Sequence, residues 1–171
     1  MKRRIDTWVA RKGCSGYPQF FVMLQSKPDE YAEFLDYITI NVTEFFRTPE
    51  HWKVVDDTVF AHLSSPFVWS VACSTGEEPY SLVISMAERM PLETIRVIAT
   101  DIDERVLQVA RQGVYSEKAV AAVPQQYLDK YFVKEGLRYR VIDEVKRCVE
   151  FRKMNLLSDE LVEGCALIVC R

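Results

Sequence analysis

The stretch Val68-Trp69-Ser70-Val71-Ala72-Cys73-Ser74-Thr75-Gly76-Glu77-Glu78-Pro79-Tyr80-Ser81 restricts the possible folds more than any other part of the chain. An apolar run passes through a turn of small residues straight into a helical pattern. That is how a strand–turn–helix unit of a nucleotide-type α/β fold reads, with the turn at the ligand edge of a sheet. Dinucleotide and phosphate folds set a glycine-rich turn and a free helix N-terminus against phosphate. This turn holds one glycine, Gly76, and the helix opens with Glu77 and Glu78. Two carboxylates at that place repel a pyrophosphate and favour a ligand carrying positive charge.

The segments after the turn extend the same fold. Pro79 and the run Leu82, Val83, Ile84, Met86 and Ala87 predict a buried helix to about Met90. Ile95 to Thr100 reads as a strand closed by Asp101-Ile102-Asp103, and Asp103 can cap a helix carrying Val106, Leu107, Val109 and Ala110. Strand, helix, strand, helix in that order implies right-handed crossovers and a parallel sheet. Tyr115 to Phe132 reads as helical or irregular, with Pro124 starting one short helix. Arg138 to Ile142 and Cys148 to Phe151 alternate as strands, which predicts a small antiparallel ribbon. Phe151 to Leu157 leads back to the main sheet, and Cys165 to Cys170 is an apolar strand before Arg171.

Upstream, residues 1 to about 38 read as three helices. Ile5, Trp8 and Val9 fall at helical spacing on a helix with a basic face from Lys2, Arg3 and Arg4; Phe20, Phe21 and Leu24 come next; then Tyr31, Phe34, Leu35 and Ile38 form one stripe. Thr39 to Arg47 has no clear period, mixing polar groups with the adjacent Phe45 and Phe46. Thr48 and Pro49 suit the N-cap and first position of a helix reaching about Leu63. The chain opens inside a helical pattern without an N-cap, and a buried parallel strand ordinarily feeds a crossover helix, so further residues are expected at both ends.

Several function classes are disfavoured by composition. A net charge of −3 gives no general reason to expect nucleic acid binding. No apolar run approaches the roughly 20 residues of a membrane span. Cys14, Cys73, Cys148, Cys165 and Cys170 are odd in number and lack a C-x-x-C pair, which suits a cytoplasmic, reduced protein without a metal site. His51 and His62 both fall in one predicted surface helix, so acid–base chemistry on histidine is not expected.

The second acidic signal is Asp101, just after the second strand, where a carboxylate can accept hydrogen bonds from both ribose hydroxyls. Together with the Glu77–Glu78 turn, it asks for a ribose beside a cationic group and no phosphate. S-adenosylmethionine fits that description and NAD does not, which disfavours an oxidoreductase. Each residue also has a plainer reading. Acids in a first turn stabilise a helix through its dipole. Asp101 and Asp103 can serve as caps alone, Arg47 as a solvated arginine, and Cys73 as a small core residue with no histidine placed to activate it.

Five segments carry a family resemblance: Ile38-Thr39-Ile40-Asn41-Val42-Thr43-Glu44-Phe45-Phe46-Arg47, the decapeptide Ala72 to Ser81, Ala99-Thr100-Asp101-Ile102-Asp103, Asn155-Leu156-Leu157, and Cys170-Arg171. Over essentially its whole length the chain resembles CheR-type chemotaxis protein methyltransferases. The resemblance implies a Rossmann-like, S-adenosylmethionine-dependent α/β methyltransferase fold, incomplete at its C-terminus, with an N-terminal helical domain and a small inserted antiparallel β-subdomain. On this sequence the implied parts are a receptor-facing helical domain at 1–38, a linker at 39–48 that contributes to the cofactor site, and a methyltransferase domain at 49–171 with its β-subdomain at about 133–151.

The resemblance further implies methyl transfer from S-adenosylmethionine to glutamate side chains of the cytoplasmic domains of methyl-accepting chemotaxis receptors, leaving S-adenosylhomocysteine. By motif position, the cofactor contacts are Asn41, Thr43, Arg47, Glu78, Asp101, Asn155, Leu156 and Arg171, with Arg47 also the catalytic candidate. Arg3 and Arg4 on the basic helix are the candidates for meeting an acidic receptor surface. A glutamate carboxylate is ionised at neutral pH, so displacement at a sulfonium needs alignment more than a general base. The alternative is a cofactor- or receptor-binding module of the same fold without catalysis. The full-length protein is expected to be a monomer. The 171-residue chain is expected to have little activity and to self-associate through the edge at Leu167-Ile168-Val169.

Overall fold

A computed structural model describes residues 2–38, 43–63 and 66–171, with the backbone alone at Asp36. The chain divides into two compact units, Met1–Asn41 and Val42–Arg171. The first holds helices α1 (Lys2–Arg11), α2 (Tyr17–Ser26) and α3 (Pro28–Ile38). Trp8, Val9 and Phe20 are its buried centre, with Phe34 and Tyr37 packed against them. The Trp8 and Tyr37 rings lie 4.4 Å apart. Arg4 is spent on this packing: its guanidinium lies 4.9 Å from the Tyr37 ring centroid and donates to the Tyr37 carbonyl. Arg3 stays exposed.

In the second unit, α4 (Pro49–Thr58) precedes β1 (Phe67–Val71), α5 (Glu77–Ala87), β2 (Arg96–Asp101) and α6 (Glu104–Gln112). Next come β3 (Val114–Ser116), α7 (Gln125–Tyr131), β4 (Phe132–Glu135), β5 (Arg138–Val141) and α8 (Asp143–Arg147). The chain then returns as β6 (Val149–Lys153) and β7 (Leu167–Cys170). One sheet has the order β6-β2-β1-β7, and every neighbouring pair in it is parallel. The register places Val68, Val97, Val149 and Leu167 in one row of one face, with Ser70, Ala99, Phe151 and Val169 in the next row on that face. Helix α5 joins this face in one core, and its Leu82, Val83, Ile84 and Met86 are each no more than 1% exposed, so the helix is buried on more than one side. Burying four such side chains contributes roughly 1.5–3 kcal/mol each. That explains why a segment rich in β-branched residues and serine is held as a helix.

Pairing across the sheet changes several local expectations. The antiparallel β-subdomain is β3-β5-β4, so it begins at Val114 and ends at Val141 rather than spanning 133–151. Residues 143–147 form α8, whose Val145 is fully buried, and β6 pairs in parallel with β2. The alternation at Cys148 to Phe151 therefore belongs to a half-covered edge of the main sheet and not to a ribbon. Helix α4 stops at Thr58, and a short 3-10 turn at Phe60–His62 carries on from it. Thr48 is not its side-chain cap: it sits at φ 58° without a capping hydrogen bond, because its hydroxyl is engaged elsewhere. Asp103 does cap α6, accepting the Arg105 amide at 2.9 Å. Strand β7 is covered on one side only, with Ile168 55% exposed. On that side Met154, Val162 and Cys165 cover Trp69, Val71 and Ile98 instead.

Candidate active site

Because the strands of the main sheet are parallel, their carboxyl ends share one edge. The chain order reverses there, β1 lying between β2 on one side and β7 on the other. In open α/β sheets that switch point opens the crevice in which ligands bind. The turn after β1, Asp101 closing β2, Asn155 and Leu156 after β6, and Arg171 after β7 all reach this edge.

The β1–α5 turn is tightly wound. Ala72 (φ 56°), Ser74 (φ 50°) and Gly76 (φ 95°) all have left-handed backbone, a state that non-glycine residues hold only when their surroundings enforce it. Three contacts do so. The Cys73 amide donates to the Thr100 carbonyl at 2.9 Å, the Ser74 amide to Asp101 Oδ2 at 2.8 Å, and the Tyr115 hydroxyl to the Thr75 carbonyl at 2.7 Å. At Gly76 an added Cβ would stand 2.8 Å from Ala110 Cβ, so close helix packing requires glycine there. The second oxygen of Asp101 accepts the Asp103 amide at 3.0 Å.

The two acids of the turn have different surroundings. Glu77 is 5% exposed and accepts the Thr75 hydroxyl at 2.6 Å. Burial raises the pKa of its carboxyl, against the Thr75 and backbone hydrogen bonds that lower it. Glu78 is half-buried and accepts the Ser70 hydroxyl at 2.7 Å. Burial raises its pKa too, but the Ser70 hydrogen bond and the positive charges of Arg171 and Arg47 pull it back. Cys73 is an inert core thiol: burial first, then the charges of Asp101 and Glu78, push its pKa far up.

The segment 43–48 lacks a clear sequence period because it is a buried-aromatic anchor. Phe45 is fully buried, its ring 4.8 Å from Tyr115 and 5.3 Å from Phe132; Phe46 packs at 5.2 Å on Trp52. The Phe46 amide donates to Ser81 Oγ on α5 at 3.0 Å. The Arg47 carbonyl accepts from Trp52 Nε1 at 3.1 Å and from Arg171 Nη1 at 3.0 Å. Arg171 Nη2 also donates to Thr48 Oγ1 at 3.0 Å, so two positions at opposite ends of the domain sequence are tied together.

Glu78, Asp101, Arg47 and Arg171 are thus assembled at the sheet edge, with Asn155 and Leu156 beside it. Asn155 accepts the Leu157 amide on its side-chain oxygen at 3.1 Å, which leaves its amide NH2 as a donor, and Leu156 is 45% exposed. Thr43 is half-buried just ahead of the anchor. Asn41 lies outside the described residues, and Arg3 and Arg4 belong to the other unit. Ser70, Ser74 and Tyr115 were not among the sequence candidates. Ser70 could have been suspected as a polar residue in an otherwise apolar strand; the Tyr115 contact spans 40 positions and leaves no local trace.

The donor set suits S-adenosylmethionine. Its amino-acid end is a zwitterion, and Glu78 beside two guanidinium groups offers one partner for each charge. Asp101 has acceptor capacity left for ribose hydroxyls. Ser74 Oγ is buried without a hydrogen-bond partner among the described residues, so the turn also holds an unused donor.

Residues 41–171 match the profile described as "CheR methyltransferase, SAM binding domain". The whole chain aligns at 35% identity with a chemotaxis protein methyltransferase of Listeria innocua, covering 67% of that protein. Over 83% of the chain it is 35% identical to chemotaxis protein methyltransferase 2 of Pseudomonas aeruginosa, and over 86% of the chain 34% identical to the chemotaxis protein methyltransferase of Salmonella typhimurium. It covers 54% of each of those two, so it spans about two thirds of the first relative and about half of the others. No helix among the described residues is long and apolar enough to cross a membrane. A parallel sheet with an acidic, one-glycine turn at its switch point and this profile match together establish that the chain belongs to the CheR methyltransferase family and carries its S-adenosylmethionine-binding domain.

Proposed function

We propose that the chain serves the transfer of a methyl group from S-adenosylmethionine to glutamate side chains on the cytoplasmic domains of chemotaxis receptors, giving glutamate methyl esters. The observation that carries this reading is Glu78 at the switch point, held by Ser70 and within the field of Arg171 and Arg47, together with an Asp101 already oriented by two backbone amides. Glu78 takes the ammonium of the cofactor and Asp101 the ribose. Asn155 and Leu156 meet the adenine with a hydrogen-bond donor and an apolar surface. Arg47 and Arg171 neutralise carboxylate, and Arg47 is assigned the orientation of the incoming glutamate as well, a role its exposed side chain supports.

Bound there, the cofactor supplies an electrophilic methyl on a sulfonium, which an ionised carboxylate displaces without a general base. The task of the residues is then to align two charged partners and exclude water. Arg3 and Arg4 are assigned to the receptor side, Arg3 by its exposed charge and Arg4 through the helix it steadies. Calorimetry with S-adenosylhomocysteine tests the cofactor reading, and absence of binding removes it. Methyl-ester formation on receptor fragments by the full gene product tests the transfer. Binding without ester formation would reduce the assignment to a cofactor-binding module.

A further inference from the structure

Ser70 stands in the middle of β1, fully buried, in a row whose neighbours on either side are Ala99 and Val169. A hydroxyl at such a place is expensive to bury unless it is satisfied. Its one hydrogen goes to Glu78 Oε1, at 2.7 Å. The bond links the floor of the sheet to the first turn of α5, and it is charge-assisted when Glu78 is ionised. The other groups that act on Glu78 are the Arg171 and Arg47 guanidiniums, and the Cys73 thiol lies close enough to feel its charge. The adjacent acid Glu77 is bonded to Thr75 instead. Among the described residues, Ser70 is the uncharged hydrogen-bond partner of the Glu78 carboxylate.

We propose that Ser70 is a positioning residue for cofactor recognition: its hydroxyl holds Oε1 of Glu78 so that Oε2 faces the ammonium at the amino-acid end of the ligand. This rests on the reading of Glu78 as the ammonium partner. A restrained carboxylate loses less conformational freedom on binding than a mobile one. A hydrogen bond from a neutral donor also favours the ionised form without competing for the ligand's positive charge.

The test uses the 171-residue chain with Ser70→Ala, Glu78→Gln and the double variant, titrated calorimetrically with S-adenosylhomocysteine and with methylthioadenosine, which lacks the amino-acid end. Ser70→Ala should weaken S-adenosylhomocysteine roughly tenfold, the scale of one hydrogen bond to a charged group, and methylthioadenosine less than about twofold. The loss should be larger at pH 6 than at pH 8, because Glu78 without its donor protonates more readily. In the Glu78→Gln background Ser70→Ala should add almost nothing. Equal losses for both ligands, or a full additional loss in the double variant, would mean that Ser70 only supports the turn. Weakening by Glu78→Gln with no effect of Ser70→Ala overturns the role of Ser70 and leaves that of Glu78 standing. Unchanged affinity in Glu78→Gln removes both.

Discussion

Oδ2 of Asp101 accepts the backbone amide of Ser74 at 2.8 Å, joining the end of β2 to the turn after β1. The carboxylate that the ribose would meet is thus also a structural tie, and its other oxygen holds the Asp103 amide at the start of α6. On the proposed reading, ligand recognition and turn geometry would depend on the same side chain.

Asp101→Ala is expected to weaken S-adenosylhomocysteine by about 1–3 kcal/mol and also to lower the melting temperature, since two backbone amides lose their acceptor. Asp101→Asn keeps one carbonyl oxygen but turns an NH2 donor toward the other backbone amide, so it should restore only part of the melting temperature and little of the affinity. Calorimetry and thermal denaturation of both variants separate the two roles. Equal affinity for wild type and Asp101→Ala would exclude the ribose role.

Gly76 has φ 95° and would bring a Cβ to 2.8 Å from Ala110 Cβ and 3.0 Å from the Tyr115 hydroxyl. Gly136 has φ 62° with nothing within 4 Å. Gly136→Ala should therefore show backbone strain alone, about 1 kcal/mol, while Gly76→Ala adds overpacking for a total of about 3 kcal/mol. Urea unfolding of the two variants measures the difference. Equal losses would mean that the close approach of α6 to the turn relaxes freely.

Glu77 contributes a pH dependence of known sign. Burial raises its pKa in the folded state, so the folded form holds the proton more tightly than the unfolded chain. Stability is therefore unaffected below the unfolded value, falls as pH rises from there through the folded value, and stays lowered above it. Glu77→Gln retains an acceptor for the Thr75 hydroxyl and has no charge to bury. It should melt above wild type at pH 8, and the gap should shrink as pH is brought down toward about 4.3, the ordinary glutamate value. A gap of the same size at both pH values would show that the charge of Glu77 is not the cause.

How much could be read from the residues depends on the range of the interactions. The β1–turn–α5 unit, β2, and the cap at Asp103 rest on periodicity and on side chains that bond within a few positions, so the chain shows them directly. Asp101 and the Glu77–Glu78 pair stand out by their places at the ends of consecutive strands, whereas the choice of Glu78 over Glu77, and the candidates Asn155 and Arg171, rest on the family resemblance. Their convergence on one edge is a consequence of the strands being parallel. The bounds of the inserted subdomain are not legible in the sequence because β6 alternates like a ribbon strand, and only its pairing with β2 assigns it to the main sheet.

The order of small residues, acids and apolar runs by itself determined that this is a parallel α/β domain with a turn suited to a cationic ligand and unsuited to a phosphate. The tertiary structure alone decided what each acid in that turn does. Glu77 and Glu78 are chemically identical neighbours, but successive residues on a helix point about 100° apart. One carboxylate turns inward and accepts from Thr75; the other accepts from Ser70 on β1 and lies within the field of arginines from two distant segments. Charge type is written along the chain, whereas the partners that give a charge its role come from residues the fold brings together.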